Sequence, residues 1–203
     1  MRKVIIAAAA ASAMALVAMP AAAQDWYAQV NTGVSIGKAD VNAAFNDEAG
    51  SGNIDLKPGF LVGAAGGVAV GNGLRLELEG VFDQNKLKDV PVKNMNATAF
   101  ANVLYDFNMG NMSPYVGAGV GYSSTTLKVD SEEAHDQGVA WQVRAGVTIP
   151  VNKAFSVDVG YRYMDLGKFS ADVTDGSDTA SVKFDPKVHA LTVGARFKLG
   201  AGA

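Results

Sequence analysis

The stretch GLRLELEG at 73–80 alternates leucine with charge over three full periods. Side chains project to opposite faces of a strand in turn, so Leu74, Leu76 and Leu78 share one face and Arg75, Glu77 and Glu79 the other. The same two-residue period recurs along the chain. In 26–37, Trp26, Ala28, Val30, Val34 and Ile36 oppose Tyr27, Gln29, Asn31 and Ser35. Further segments of this kind fall at 59–70, 73–83, 95–107, 114–122, 139–149, 155–165 and 188–197. They predict eight strands of about ten residues.

The intervening segments alternate long and short. The short ones are Gly71-Asn72-Gly73, a tight hairpin signal, then 108–113 and 150–154. The long ones are 38–57, 84–94, 123–137 and 166–187, and in the first Val41, Ala44 and Phe45 are spaced for one helical turn. A 3.6-residue period is sustained nowhere, which excludes an α/β fold with crossover helices. The pattern predicts an all-β chain, an eight-stranded antiparallel up-and-down barrel with long loops at one end. Short turns and both termini fall at the other end.

Alternation does not say which face meets water. A soluble sheet turns its leucines to a core; a membrane barrel turns them to lipid and its charges inward. The distribution of cations distinguishes the two. All four arginines after position 2 (Arg75, Arg144, Arg162 and Arg196) lie on the polar face of a strand, together with Glu77, Glu79, Asn102, Asp106, Gln142 and Asp158. Lysines instead sit in loops or near strand ends: Lys38, Lys57, Lys86, Lys88, Lys93, Lys128, Lys153, Lys168, Lys183, Lys187 and Lys198. A narrow interior selects guanidinium, which pairs bidentately with carboxylate and tolerates burial better than ammonium. An arginine facing lipid near the midplane would cost about 2–4 kcal/mol. The arginines are therefore expected inside, in a transmembrane barrel whose interior charge network is Arg75, Glu77, Glu79, Asp106, Arg144, Asp158, Arg162 and Arg196. A soluble lipocalin-like binding barrel is the alternative.

Aromatics are biased to strand ends. Trp26, Tyr105, Phe107, Tyr115, Phe155 and Phe197 lie near the short-turn ends and are expected at the membrane interface, while Tyr122, Trp141, Tyr161 and Tyr163 lie nearer the loops.

Composition adds the route. Arg2 and Lys3 precede an apolar, alanine-rich run to Val17, then Pro20 and Ala21-Ala22-Ala23, the pattern of a signal peptide (1–23) cleaved after Ala23. The domain that follows, 24–203, would change the net charge from −3 to −5 on losing Arg2 and Lys3, so nucleic acid is not an expected partner. The chain has no cysteine, hence no disulfide.

PYVGAGVGY (114–122), WQVRAGVTIP (141–150), VDVGYRYMDLG (157–167) and HALTVGARF (189–197), in that order, resemble the small outer-membrane β-barrel family, similar to the OmpA transmembrane domain and to opacity-type porins. The likeness covers essentially the whole chain after residue 23. It implies a cell outer membrane location in a Gram-negative bacterium, contact with outer-membrane lipid and lipopolysaccharide, and insertion by the barrel-assembly machinery. Members usually finish on the aromatic of the last strand, whereas Phe197 is followed by six residues, expected as a disordered tail (198–203). OmpA itself continues into a linker and a peptidoglycan-binding domain, absent from this sequence, so peptidoglycan anchoring is not carried over.

Catalytic and ligand chemistry is thinly signalled. GAGVGY (117–122) and GAAGG (63–67) do not have the spacing of a nucleotide loop, and Gly117, Gly119 and Gly121 are expected to leave interior room for arginines. Glu132, Glu133, His135 and Asp136 read as a solvated acidic loop, and Asp172, Asp175 and Asp178 lack EF-hand spacing. His189 faces outward without a serine beside it, so no nucleophile–base pair forms. The expectation is a non-enzymatic barrel without cofactor or metal, plugged by its own Arg, Glu and Asp side chains. Its role would be structural or carried by loops whose partner is unknown; a small porin-like channel is the second reading.

Overall fold

The computed structural model describes residues 25–199 apart from 46–47, 88–92, 130–131, 168 and 176–177; side chains are described outside 39–56, 86–94, 127–136 and 168–185. The expected signal peptide (1–23) and the end of the expected tail (200–203) lie outside the described residues.

The chain forms β1 (Asp25–Phe45), β2 (Glu48–Gly71), β3 (Leu74–Leu87), β4 (Lys93–Asp106), β5 (Ser113–Val129), β6 (Glu132–Pro150), β7 (Phe155–Asp165), β8 (Phe169–Asp175) and β9 (Asp178–Leu199). Each of β1 to β7 pairs antiparallel with the next, β7 pairs with β9, and β9 returns to β1, closing the sheet. Short β8 pairs only with the start of β9, so eight staves close the barrel and β8 belongs to a hairpin above it. Closure removes free edges, which is what a sheet crossing lipid requires.

Short turns are built by local chemistry. Asn72 (φ 53°) and Gly73 (φ 83°) both have positive φ between β2 and β3, the signature of a two-residue hairpin turn that follows the strand twist. In the turn after β6, the Asn152 Oδ1 accepts from the amides of Ala154 and Phe155 at 2.9 Å each. These turns and the two ends of the sheet, Asp25 and Leu199, share one rim.

The other rim differs from expectation. Segments 38–57, 84–94, 123–137 and 166–187 are largely strand: Lys38 to Phe45 pairs with Glu48 to Asp55, and Ser123 to Val129 with Glu132 to Gly138. The helical turn expected around Val41, Ala44 and Phe45 is likewise strand. Continuing the ladder satisfies backbone groups however polar the side chains are. At the opposite rim, β9 runs two residues past Phe197, with Lys198 opposite Tyr27 and Leu199 opposite Trp26. The expected disordered tail therefore does not begin at Lys198, because the β1 edge offers those residues a partner.

Burial follows parity. Outward positions carry Val30, Val116, Val120, Val143, Val159, Leu191 and Val193, all exposed, while Arg162, on the inward face of β7, is 1% exposed. The apolar surface is outside and the charge inside, as lipid demands and as a soluble binding barrel would reverse.

Candidate functional site: the barrel interior

Inward residues of β3, β4, β6, β7 and β9 converge on one ionic network. Arg75 approaches Asp106 side-on, Nε to Oδ2 at 2.6 Å and Nη2 to Oδ1 at 2.7 Å. Arg144 reaches Glu77 Oε1 at 2.5 Å and Glu79 Oε2 at 3.2 Å. Arg162 donates to Glu79 Oε1 at 2.7 Å, and Arg196 donates to Asp158 Oδ2 at 3.2 Å. All eight charged residues assigned to the interior are thus brought together. The partner of Asp158 is Arg196, on the neighbouring stave, rather than Arg162 on its own strand.

Neutral groups occupy the remaining lone pairs. Glu79 also accepts from Asn31, Asn102 and Gln142 at 3.0–3.3 Å, and Glu77 accepts from Tyr27 Oη at 2.9 Å. Thr148 and Tyr115 donate to Asp158 at 3.1 and 2.9 Å. The Arg75 guanidinium lies over the rings of Tyr27 and Tyr115, 5.5 and 5.3 Å from their centroids, and Arg196 lies 5.0 Å over Tyr27. Buried charges become tolerable only when paired and hydrogen-bonded in this manner.

Tyr115 corrects an expectation. Its place near a strand end predicts the membrane interface, yet it is 2% exposed and points inward. The reason is parity: it shares the face of Gly117 and Gly119, and its hydroxyl occupies room left by Gly146 and Gly160, where an added Cβ would stand 2.7 Å from Oη. The glycines of β5 also serve a different neighbour from the one expected. A Cβ on Gly117 would strike Leu104, on Gly119 it would strike Asn102, and on Gly121 Phe100, all on adjacent β4 and none an arginine.

The other assigned aromatics stand on the outer wall at the short-turn rim. Tyr105, Phe107 and Phe197 are exposed and Trp26 and Phe155 half-buried. Tyr105 packs edge-on against Phe107 at 4.9 Å and Phe155 meets Phe197 at 5.2 Å. Towards the other rim, Trp141 lies 5.3 Å from Tyr163, and Tyr161 Oη is 2.6 Å from Nδ1 of outward His189.

A further inward feature escaped sequence reading. Leu61, Val81, Phe100, Ala140, Met164, Leu166, Val188 and Ala190 form a buried apolar cluster. Along β3 it follows directly on the ionic network: Glu79, then Val81, then Asp83 and Asn85. The signal was present in parity, since Phe100 shares its face with Asn102 and Met164 with Arg162. Among the described residues the interior therefore carries an apolar layer beside the ionic one, and not charge pairs alone.

Among the described residues, no three His, Cys, Asp or Glu side chains gather to hold a metal. The side chains of Glu132, Glu133, His135, Asp136, Asp172, Asp175 and Asp178 lie outside the described residues. The two glycine-rich stretches are wall segments of β2 and β5.

Comparison with known proteins agrees with this architecture. The structure of Neisserial surface protein A (NspA) is similar with a TM-score of 0.57 at 20% identity, the match covering 86% of this chain and 97% of that one. OprG of Pseudomonas aeruginosa gives a TM-score of 0.63 at 14% identity, over 87% of this chain and 97% of that one. At such identities the likeness is one of fold. No curated protein matches the sequence. The family model of the outer membrane protein β-barrel domain matches residues 8–197. The chain belongs to that family, and its place is the bacterial outer membrane.

Proposed function

We propose that the protein is a closed, non-catalytic scaffold that holds four long hairpins at the cell surface, where they make its functional contacts, and that admits no general diffusion. One observation carries this reading: Glu79, on β3, is bonded to Arg162 and Gln142 from the far side of the lumen and to Asn31 and Asn102 from the near side. An eight-stranded barrel is only wide enough for its own side chains, and here they span it. Residues 1–23 act as the export signal in this account. Outer-membrane lipid and lipopolysaccharide surround the apolar wall, and the barrel-assembly machinery inserts it. The name of NspA, a surface protein, is in keeping with surface display.

A small channel is the second reading. It is favoured by a cavity of about 450 Å³ that opens at the short-turn rim and reaches Arg75, Asp106 and Arg196. Conductance of planar bilayers containing the refolded full chain separates the two. A scaffold gives no stable current steps; uniform steps at a reproducible size overturn it in favour of the channel.

A further inference from the structure

Four lysines occupy one line of register across four adjacent staves at the loop end. Lys57 on β2 is paired with Lys86 on β3, Lys86 with Lys93 on β4, and Lys93 with Lys128 on β5. Residues directly opposite across an antiparallel ladder share a face of the sheet. That face is the outer one, because the position of Lys86 alternates along β3 with inward Val81, Asp83 and Asn85. Lys57 joins it through a bulge: three steps along β2, from Lys57 to Phe60, stand against two along β3, from Lys86 to Gln84. Without the extra residue Lys57 would fall on the parity of inward Leu61.

Neighbouring staves lie about 4.8 Å apart, so the row sets four cationic positions along about 14 Å. Like charges placed opposite one another destabilise a sheet. Lys86 and Lys93 each have a lysine on both sides, whereas Lys128 has Glu133 across from it on β6. The other facing couple at this end differs, since Lys38 and Lys187 are flanked in register by Asp55 and Asp165. A row that sets lysine against lysine three times in succession complements a polyanion, and lysine serves phosphate as a point charge.

The wall beneath the row selects a lipid. The lysines stand two residues beyond Gln84 and Thr126, where the apolar wall turns polar, and so at the level of headgroups. Along β4 the outer face below Lys93 and Met95 is Ala97, Ala99 and Ala101, all exposed. Gly80 lies at the register of Ala99, and a Cβ built on it would meet nothing within 4 Å. Phe82, opposite Ala97, and Tyr122, opposite Ala99, stand on the two flanking staves. The result is a smooth lane between aromatics, continuous with the lipid-facing wall and ending at the cations. We infer that the outer face of β2–β5 binds one phosphorylated glycolipid of the lipid A class, its phosphates on Lys57, Lys86, Lys93 and Lys128 and an acyl chain along Ala97, Ala99 and Ala101. The inference rests on the orientation in the proposed function, with the loop end outward, and deepens its contact with lipopolysaccharide from a general surrounding to one site.

The test uses refolded full-length protein in detergent micelles, titrated with bisphosphorylated lipid A and read by native mass spectrometry. One lipid A should be retained, with phosphatidylglycerol at least tenfold weaker. Lys86→Gln/Lys93→Gln should weaken retention at least tenfold, whereas Lys153→Gln/Lys198→Gln, which removes the same charge at the opposite rim, should change it less than twofold. Ala99→Trp fills the lane without altering charge and should weaken lipid A several-fold while leaving the binding of soluble heparin unchanged. Heat-modifiable gel migration reports folding of each variant. No retention at micromolar lipid A overturns the inference, as do equal losses in the two lysine pairs or phosphatidylglycerol binding as tight as lipid A. Heparin that binds more tightly than lipid A also overturns it, in favour of a soluble polyanion. If Lys86→Gln/Lys93→Gln does not fold, Ala99→Trp decides, and unchanged retention there counts against the site. These outcomes are separate from conductance: current steps would overturn the closed scaffold and leave lipid retention as it is, and lost retention would leave the scaffold standing.

Discussion

Arg162 and Glu79 meet at 2.7 Å from opposite walls of the barrel: β7 and β3 stand four staves apart in a closed ring of eight. Neither residue has a solvent route to satisfaction, since their side chains are 1% and 0% exposed. The pair acts as a strut across the lumen, and the flanking bonds from Arg144 and Gln142 make it part of a cross-braced layer.

Removing one end of this strut should be expensive. Arg162→Leu leaves Glu79 with one arginine and is expected to cost about 3–5 kcal/mol, the usual penalty for breaking a buried ion pair from one side. Val159→Leu, three residues earlier but exposed on the outer wall, should change stability by about 0.5 kcal/mol or less. Urea unfolding in micelles measures both. Equal, mild effects would mean that the inside and outside faces have been assigned the wrong way round.

Gly160 and Tyr115 should be coupled. Gly160→Ala sets a methyl 2.7 Å from the tyrosine hydroxyl and is expected to cost about 1–3 kcal/mol by overpacking. Tyr115→Phe alone should cost about 1–3 kcal/mol, because Asp158 loses a buried donor. With the hydroxyl gone the methyl has room, so the double variant should be less destabilised than the two single losses added together. A double-mutant cycle by urea unfolding reads the difference, and strict additivity would show that the hydroxyl does not fill that space.

The apolar layer makes its own prediction. Phe100→Ala removes the aromatic ring of the buried cluster and should cost about 3–5 kcal/mol. Val120→Ala, on a side chain 66% exposed to the surroundings, should cost about 1 kcal/mol or less. Comparable losses would place Phe100 in a yielding environment and remove the apolar layer as a structural element.

What could be read from the sequence was whatever repeats locally. Arg75 beside Leu74 and Leu76 states its face without reference to any other strand, and the same holds for Arg144, Arg162 and Arg196. Partners were less legible. That Arg162 meets Glu79 and Arg196 meets Asp158 depends on strand order and stagger, which no single segment encodes. Tyr115 lies near a strand end, as interface aromatics do, but its parity with Gly117 turns it inward. The hairpin extensions are illegible for a related reason: beyond the bilayer no face has to be apolar, so the alternation that reveals a strand fades at 38–45 and 123–129 although the backbone pairing continues.

The final prediction concerns the end of β9. Phe197 is outward, 46% exposed, and stacks against Phe155 at 5.2 Å on the adjoining stave. The resemblance to small outer-membrane barrels implies that assembly depends on an outward aromatic ending the last strand. Lys198 and Leu199 continue the pairing with β1, opposite Tyr27 and Trp26, so they help to close the ring. Residues 200–203, Gly-Ala-Gly-Ala, carry little apolar area with which to hold a further ladder or a lipid contact. Deleting 200–203 should therefore leave outer-membrane yield unchanged, whereas Phe197→Ala should lower it several-fold, as measured by heat-modifiable migration of the membrane fraction. A deletion that also removes Lys198 and Leu199 should fall between the two, because closure against β1 is shortened while the aromatic is kept. If the four-residue deletion abolishes assembly and Phe197→Ala does not, the determinant lies beyond Leu199 and the assignment of Phe197 fails.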